Sequence, residues 1–163
     1  MNQTKNLGFT GYQPGCLASL CAIQSGYYAR NWGFNHLYES VVALSIGEFL
    51  QRYNPDRDFV QLVTQDNTVR GGIVIDSLDG EMAQLHWFIL EESLKGHGLG
   101  RELLNRAMDF VTAQQIKDVC LMTFKGLDPA RKLYEEVGFK LVSEQLATTW
   151  GNNVVEQRFE WQA

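Results

Sequence analysis

A glycine at every second position marks the segment of this sequence with the clearest chemical potential. The segment reads Lys95, Gly96, His97, Gly98, Leu99, Gly100 and Arg101. Because glycine tolerates positive φ and lets the backbone approach a ligand closely, such a loop can turn several main-chain N–H groups toward one point at the start of a helix. A nest of this kind binds phosphate oxygens, and the lysine and arginine at its ends could add positive charge. The plainer interpretation is a turn between a strand and a helix.

Two common phosphate-binding motifs do not fit this loop. Walker A requires a Gly-Lys-Ser/Thr sequence, and none follows here. The dinucleotide-binding fingerprint requires G-x-G-x-x-G at the start of a Rossmann unit, whereas these glycines alternate. The chemistry of the loop must therefore be inferred from the elements that position it.

The loop is predicted to join the central strand of a sheet to a helix. Apolar residues run almost without a break at the end of a strand over 82–90, as in a strand covered on both faces. After the loop, apolar residues recur on one face of a helix that extends to about Gln115, and residues 118–124 form a short strand. Strand, helix and strand in this order predict a right-handed parallel βαβ unit over 82–124.

Helices and then strands precede the central strand. Helical spacing predicts a helix over 16–30 and another over 36–52, the second with the apolar residues Leu37, Val41, Leu44 and Phe49. Period-two alternation predicts strands over 59–65 and 69–75, with a turn at 77–80 before the central strand. These three strands are expected to form an antiparallel meander.

The last third of the chain predicts a helix and a hairpin. Pro129 is expected at the first position of the helix, with Asp128 as its cap and Gly138 just after its end. Residues 140–149 and 154–161 are expected to close the chain as a hairpin. The predicted fold class is therefore α+β, with a mixed, mostly antiparallel central sheet and flanking helices.

A second motif follows the glycine loop by about thirty residues. Residues 130–139 read ARKLYEEVGF, which resembles the A-x-x-x-Y-E-x-x-G-F signature of the GNAT N-acetyltransferases. The glycine loop resembles the R/Q-x-x-G-x-G/A pyrophosphate loop of the same family, with Lys95 in place of the usual first residue. The resemblance covers essentially the whole chain and is closest to bacterial GNAT domains of the kind fused to MarR-type regulators.

The resemblance implies acetyl-CoA as cosubstrate, with no metal. In this family the coenzyme lies where the central strand splays from its parallel neighbour. The main chain of Phe88, Ile89 and Leu90 is then expected to pair with the pantetheine amides, and the loop from Gly96 to Arg101 to cradle the pyrophosphate. Tyr134 matches the family's tyrosine, whose phenol donates a proton to the coenzyme sulfur. A packed helix aromatic is the alternative role for Tyr134.

The group that accepts the proton of the attacking amine is left open by the sequence. An alkylammonium has a pKa of about 10, so something must take its proton, directly or through water. His86 is one candidate, and His36 and Glu91 are others; a structural role is the alternative for His86. Leu127 stands where many members have a coenzyme-contacting asparagine.

The acceptor is expected to be a small primary amine bound against the two N-terminal helices. The residues expected there are Tyr27, Tyr28, Trp32 and Phe34. One alternative is an acyl-CoA-binding sensor or regulatory module with weak catalysis. Another is a structural domain whose loop binds nothing.

Composition limits the remaining possibilities for the 163-residue chain. A 45% hydrophobic content predicts one globular domain over 1–163. An excess of 19 acidic over 14 basic residues argues against nucleic-acid binding. The absence of a signal-like or membrane-spanning apolar run predicts a cytoplasmic protein that does not bind membranes. Three cysteines without CxxC spacing indicate neither a disulfide framework nor a zinc site. The final hairpin offers an edge for a homodimer.

Overall fold

The computed structural model describes residues 6–78, 80 and 82–163, so Asp79 of the predicted 77–80 turn lies outside the described residues. Seven strands and four main helices are found in this part of the chain. In chain order they are β1 Leu7–Thr10, α1 Cys16–Trp32, α2 His36–Arg52, β2 Phe59–Gln65, β3 Thr68–Asp76, β4 Met82–Leu90, α3 Leu99–Ala113, β5 Asp118–Phe124, α4 Asp128–Glu136, β6 Lys140–Ala147 and β7 Val154–Gln162. The predicted α+β class is confirmed.

All seven strands form one mixed sheet in the order β1-β2-β3-β4-β5-β7-β6. The strands β2, β3 and β4 pair antiparallel as the predicted meander, and β4 occupies the centre of the sheet. The pair β4 and β5 is parallel, as the βαβ prediction requires. All other neighbouring strands run antiparallel, including the final β6–β7 hairpin.

A hydrophobic core lies on each face of the sheet. On one face, α3 and α4 bury residues that include Leu103, Leu104, Val111 and Tyr134. On the other face, α1, α2 and the connection between them bury residues that include Leu17, Leu20, Phe34 and Phe49. Each helix pair therefore covers one side of the central strands, and any opening between those strands is bordered by both.

The helix α2 has the predicted bounds but buries a different face. Its buried residues are Tyr38, Val42, Ile46 and Phe49. Of the predicted apolar residues only Phe49 is among them, while Leu37, Val41 and Leu44 are exposed. Both sides of this helix carry apolar residues at helical spacing, so spacing alone does not determine which side meets the sheet.

The start of α4 also corrects a prediction. Leu127 occupies the cap position, Asp128 is the first helical residue, and no side chain caps the helix. Pro129 therefore stands one position later than expected. Gly138 does follow the helix with φ of 106°, as predicted for a residue just after its end.

Within the described residues, no helix has the length and hydropathy required to cross a membrane. The same part of the chain contains no cluster of three or more His, Cys, Asp or Glu side chains arranged to hold a metal ion. Its three cysteines are free thiols.

Candidate active site

The parallel strands β4 and β5 separate partway along their length. Their pairing runs from Met82 opposite Asp118 to Leu85 opposite Leu121 and then stops. Immediately beyond, the register of β4 against β3 shifts, and Trp87 has φ of 49°. A shift of this kind is a β-bulge, which bends the strand that contains it. We call the opening between β4 and β5 beyond Leu85 and Leu121 the strand gap.

Two glycines of β3 allow its neighbouring strands to approach closely, β4 at Gly71 and β2 at Gly72. A Cβ atom at Gly71 would lie 2.5 Å from the carbonyl oxygen of Ile89, and one at Gly72 would lie 2.7 Å from that of Gln61. Any larger residue at Gly71 would therefore displace the backbone of β4. A glycine pair inside a strand is a sequence signal for such close approach.

The main chain of Phe88 and Leu90 faces the strand gap. The N–H of Glu91 donates to the carbonyl of Arg70 on β3, and the carbonyl of Ile89 also lies toward β3. Because main-chain groups alternate in direction along a strand, those of the residues between point the other way. Of the three residues predicted to pair with a coenzyme, Ile89 therefore faces β3, and the other two offer main-chain groups to the gap.

A short 3₁₀ turn, Glu92–Leu94, connects this open edge to the glycine loop, which leads into α3. Gly96 and Gly98 have φ of 81° and 77°, and a Cβ atom on either would meet nothing within 4 Å. Gly98 caps α3 without a side-chain hydrogen bond, and its carbonyl accepts from the N–H of Glu102. The N–H groups of the first helical turn have no acceptor within the helix. This loop therefore fits a diphosphate, since it combines free donors with uncrowded backbone.

Both charged side chains of the loop contact other elements. The Nζ atom of Lys95 lies 4.4 Å from the centre of the Tyr27 ring on α1. The Nη2 atom of Arg101 lies 2.8 Å from Oε2 of Glu136 on α4, and this hydrogen bond lowers the pKa of Glu136. An anion in the loop would therefore meet main-chain donors first.

Tyr134 is buried beside the strand gap, with 6% of its surface exposed. Its ring centre lies 6.0 Å from that of Phe88 on the separated part of β4, and it also packs against Phe139 and Phe159. Burial raises the pKa of Tyr134, so the phenol keeps its proton at neutral pH. A protonated phenol at this position can donate a proton, and it also serves as a packed core aromatic.

His86 stands at the first position of β4 beyond the paired stretch. Its ring stacks on Trp87 at 4.4 Å, and its Nε2 atom lies 3.8 Å from Oδ2 of Asp76. Burial lowers the pKa of His86 to about 4; Asp76 opposes this shift and Arg52 adds to it. His86 is therefore neutral at physiological pH and can accept a proton only weakly.

Arg52 and Asp76 support His86 and were not identified from the sequence. Both terminal nitrogens of Arg52 hydrogen-bond to the Asp76 carboxylate, which is 1% exposed. Burial opposes ionisation of Asp76, but hydrogen bonds from Arg52 and from the N–H of Leu78 outweigh it, and its pKa is lowered. No local sequence pattern indicates a pair that joins the end of α2 to the end of β3.

The two other candidate bases, His36 and Glu91, do not lie where the strand gap begins. His36 is exposed at the start of α2. Glu91 forms an ion pair with Arg70 at 3.1 Å and helps to line a cavity of about 400 Å³ between α1 and the end of β4. Tyr27 and Arg30 line the same cavity.

Six aromatic side chains, which we call the aromatic cluster, fill the α1–α2 side of the strand gap. They are Tyr28, Trp32, Phe34, Tyr38, Phe124 and Trp150. Tyr28 is central: it stacks on Phe34 at 5.1 Å and meets Phe124 of β5 edge-on at 5.4 Å. Of the predicted acceptor residues, three belong to this cluster, whereas Tyr27 lines the cavity. Leu127 packs against the same core.

The turn between β6 and β7 fastens the connection between α1 and α2 over this cluster. The N–H of Asn35 donates to the carbonyl of Trp150 at 2.8 Å, and the side-chain amide of Asn152 donates to the carbonyl of Trp32. Gly33 and Gly151 both have positive φ at the contact, and a Cβ on Gly151 would lie 3.2 Å from the Gly33 carbonyl. The closing hairpin thus holds one border of the gap.

Comparisons with known proteins agree with this geometry. Residues 17–139 match the Acetyltransferase (GNAT) family. The chain is similar in structure to a protein assigned as a phosphinothricin N-acetyltransferase, with 18% identity, a TM-score of 0.74, and coverage of 96% of this chain and 98% of that one. An acetyltransferase from Streptococcus agalactiae matches with 19% identity, a TM-score of 0.70 and the same two coverages. The yncA protein of Salmonella typhimurium, with its cofactor acetyl-CoA, matches with 15% identity, a TM-score of 0.71 and coverage of 96% and 94%. No curated protein matches the chain.

Proposed function

Because this chain belongs to the Acetyltransferase (GNAT) family, we propose that it transfers the acetyl group of acetyl-CoA to a primary amine of a small acceptor. The observation that carries the proposal is the continuity of three features. The open edge of β4 leads through the turn at Glu92–Leu94 into the glycine loop, and Tyr134 borders the same strand gap. A ligand with a diphosphate at one end and a reactive sulfur at the other would span these features.

The main chain supplies the coenzyme contacts in this proposal. Phe88 and Leu90 pair with the amides of the pantetheine arm, as a neighbouring strand would. The N–H groups after Gly98 bind the diphosphate at the start of α3. Gly100 suits this role because a Cβ there would already touch Leu133 at 3.5 Å and leave less room beside the loop.

Bound acetyl-CoA supplies the thioester: the amine nitrogen forms the C–N bond as the C–S bond breaks, and the proton lost by nitrogen ends on sulfur. Tyr134 donates the proton to the departing sulfur, and the proton released by nitrogen restores the phenol. The raised pKa of Tyr134 suits this role because the phenol is fully protonated before transfer. An acceptor that arrives as an alkylammonium must first lose another proton, and His86 remains our candidate for the group that takes it, directly or through water.

An acyl-CoA-binding sensor with weak catalysis is the second candidate function. It is favoured by the lowered pKa of His86, about 4, which makes the imidazole a weak base at neutral pH. Leu127, in place of a coenzyme-contacting asparagine, favours it as well. In that case the chain would bind acetyl-CoA and acetylate no amine at a useful rate.

A screen of free-thiol release from acetyl-CoA distinguishes the two functions. The amines to compare are an amino acid analogue such as phosphinothricin, a polyamine such as spermidine, an aromatic amine such as tyramine, and a short peptide. For the best acceptor, we expect Tyr134→Phe to lower turnover about 100-fold while acetyl-CoA affinity is retained. Retained affinity without turnover on any amine would favour the sensor, and no affinity for acetyl-CoA would exclude both functions.

Three finer predictions remain from the sequence. The kinship with GNAT domains fused to MarR-type regulators rests on the segment 28–34 and the closing residues 150–161. We propose that the protein acts in the cytoplasm and forms a homodimer. The strand β6 supports the homodimer because it forms an edge of the sheet and is exposed along most of its length.

A further inference from the structure

Two tyrosines approach the strand gap from opposite faces of the sheet. Tyr134, on α4, packs against Phe88 of β4 at 6.0 Å. Tyr28, on α1, packs against Phe124 of β5 at 5.4 Å. Each phenol therefore lies against one of the two diverging strands, from the face opposite the other. Only Tyr134 has a role in the proposed transfer, so Tyr28 requires a separate explanation.

The hydroxyl group of Tyr28 lacks a partner in the described part of the chain. Its neighbour Tyr38 differs, because the Tyr38 hydroxyl accepts a hydrogen bond from Nε2 of Gln24 at 3.0 Å. The fully enclosed, unpaired side-chain atoms of the described residues belong to Gln24 and Arg70. The Tyr28 hydroxyl is not among them, so it reaches accessible space although the residue is only 6% exposed.

The surroundings of Tyr28 keep its hydroxyl group protonated. Burial raises the pKa of Tyr28 well above its usual range, and the phenols of Tyr38 and Tyr134 raise it further. Beside Phe124 of β5, Tyr28 therefore presents a neutral hydroxyl, whose oxygen can accept a hydrogen bond from an N–H group.

Two other polar side chains on the same face, His86 and Glu156, already have partners. His86 faces Asp76, which Arg52 holds. The carboxylate of Glu156 accepts from the indole N–H of Trp150 at 3.1 Å. An amine arriving from the α1–α2 side would thus meet Tyr28 as the unengaged hydroxyl of the aromatic cluster.

We propose that the Tyr28 hydroxyl binds the acceptor's nitrogen at the strand gap, opposite Tyr134, and aims the nitrogen lone pair at the thioester carbonyl. This inference rests on the proposed acetyltransferase function and gives one of the residues expected near the acceptor a specific contact with its nitrogen. The hydroxyl accepts an N–H hydrogen bond and takes no proton. Tyr28 would thereby make acceptor binding depend on α1, while coenzyme binding depends on β4 and α3.

Two stable coenzyme A derivatives test the assignment by calorimetry, without turnover. In the first, the sulfur carries a –CH₂–CO–NH–propyl group, which places an N–H where the acceptor nitrogen would stand. The second has an N-methyl group in place of that hydrogen. We expect the wild type to bind the N–H derivative about tenfold more tightly than the N-methyl derivative, which is the effect of one hydrogen bond. We expect Tyr28→Phe to bind the two equally and to keep its affinity for coenzyme A.

Tyr38→Phe is the matched control, because it removes a hydroxyl from the same cluster that already has a protein partner. It should keep the tenfold preference. Equal binding of the two derivatives by the wild type, or a preference retained in Tyr28→Phe, overturns the role of Tyr28 and leaves the acetyltransferase proposal intact. Failure of the wild type to bind coenzyme A or either derivative overturns both. Equal binding by the wild type overturns the role of Tyr28 even if Tyr28→Phe does not fold.

Discussion

His86 Nε2 lies 3.8 Å from Asp76 Oδ2, and Asp76 is held in turn by both terminal nitrogens of Arg52. This chain of contacts ties the end of α2 to the end of β3 and to the point where β4 leaves β5. The imidazole is largely shielded, with 20% of its side chain exposed, and its pKa is lowered to about 4. The same residue thus links the stability of the fold to pH and stands at the start of the candidate active site.

Acidification should destabilise the protein through His86. The unfolded chain, with a histidine pKa near 6.5, binds more protons than the folded one, whose His86 pKa is about 4. The free energy of unfolding should therefore fall by roughly 3 kcal/mol as the pH drops from about 6.5 to 4. Asp76 should act in the same direction at lower pH. Because its pKa is lowered in the folded protein, the free energy of unfolding should fall further once the pH drops below the pKa that this carboxyl has in the unfolded chain.

Urea unfolding between pH 4 and 8 measures this effect. His86→Gln should flatten the dependence between pH 4 and 6.5. The control His36→Gln changes an exposed histidine and should leave the slope as in the wild type. Identical slopes for wild type and His86→Gln would show that His86 is not buried in its neutral form.

His86→Gln should also lower the rate of acetyl transfer if the imidazole takes the proton of the amine. We expect kcat/KM for the acceptor to fall about 100-fold, with acetyl-CoA affinity unchanged. Because the pKa of His86 is about 4, the wild-type rate should show no loss from protonation of this group between pH 8 and 6. Wild-type turnover in His86→Gln would leave the imidazole a structural role only.

Gly98→Asp should weaken acetyl-CoA binding by about tenfold or more without unfolding the domain. The glycine has φ of 77° at the start of α3, where a side chain would enter the space assigned to the diphosphate. Gly15 is a matched control, since it has φ of 84° at the start of α1 and equally open surroundings. Thermal melts should show a similar loss of stability in Gly98→Asp and Gly15→Asp. Calorimetry should show weaker acetyl-CoA binding only in Gly98→Asp. Equal acetyl-CoA affinities of the two variants would show that the diphosphate does not bind at this loop.

Glu136→Gln should strengthen acetyl-CoA binding about threefold at low salt, because it frees Arg101 beside the loop. Glu135→Gln removes the same charge from the same helix but frees Arg131 instead. In the wild type, Nε of Arg131 lies 3.0 Å from Oε1 of Glu135. Calorimetry at two salt concentrations compares the acetyl-CoA affinities of the two variants. Equal effects of the two variants would mean that Arg101 does not reach the coenzyme.

Gly71→Ala should destabilise the protein by about 1–3 kcal/mol, because the added Cβ meets the Ile89 carbonyl and must displace β4. Gly47→Ala should instead stabilise it by about 0.5–1 kcal/mol, since this helical glycine of α2 has nothing within 4 Å of an added Cβ. Urea unfolding should show a lower free energy of unfolding for Gly71→Ala and a higher one for Gly47→Ala than for the wild type. A neutral Gly71→Ala would mean that β3 and β4 adjust without strain.

The sequence predicted elements better than the contacts between them. The bounds of α2 and β5 came directly from local periodicity and turn residues, which act over a few positions. The buried face of α2 did not, because Leu44 and Ile46 are equally apolar and only the sheet decides that Ile46 is covered. Asp128 fitted the preferences of a helix cap, yet the helix begins one residue earlier than that role requires.

The candidate site likewise combines residues that the sequence predicts with residues that only the folded structure identifies. The glycine loop and Tyr134 belong to short motifs and could be placed from sequence. The bulge at Trp87 has no such signal, because a tryptophan with positive φ is held by its surroundings rather than by its own preference. The carboxylate of Asp76 likewise acquires its role only when α2 and β3 meet.

The fastening of the α1–α2 connection by Asn152 has a consequence for synthesis. The residues that it joins are separated by 120 positions, and the last strand of the sheet lies beyond both. A chain emerging from the ribosome can form its first two helices early, but their connection has no anchor until the final hairpin arrives. The aromatic cluster therefore reaches its final arrangement only after Asn152 has been synthesised, so a chain that ends before this residue cannot complete the proposed acceptor site.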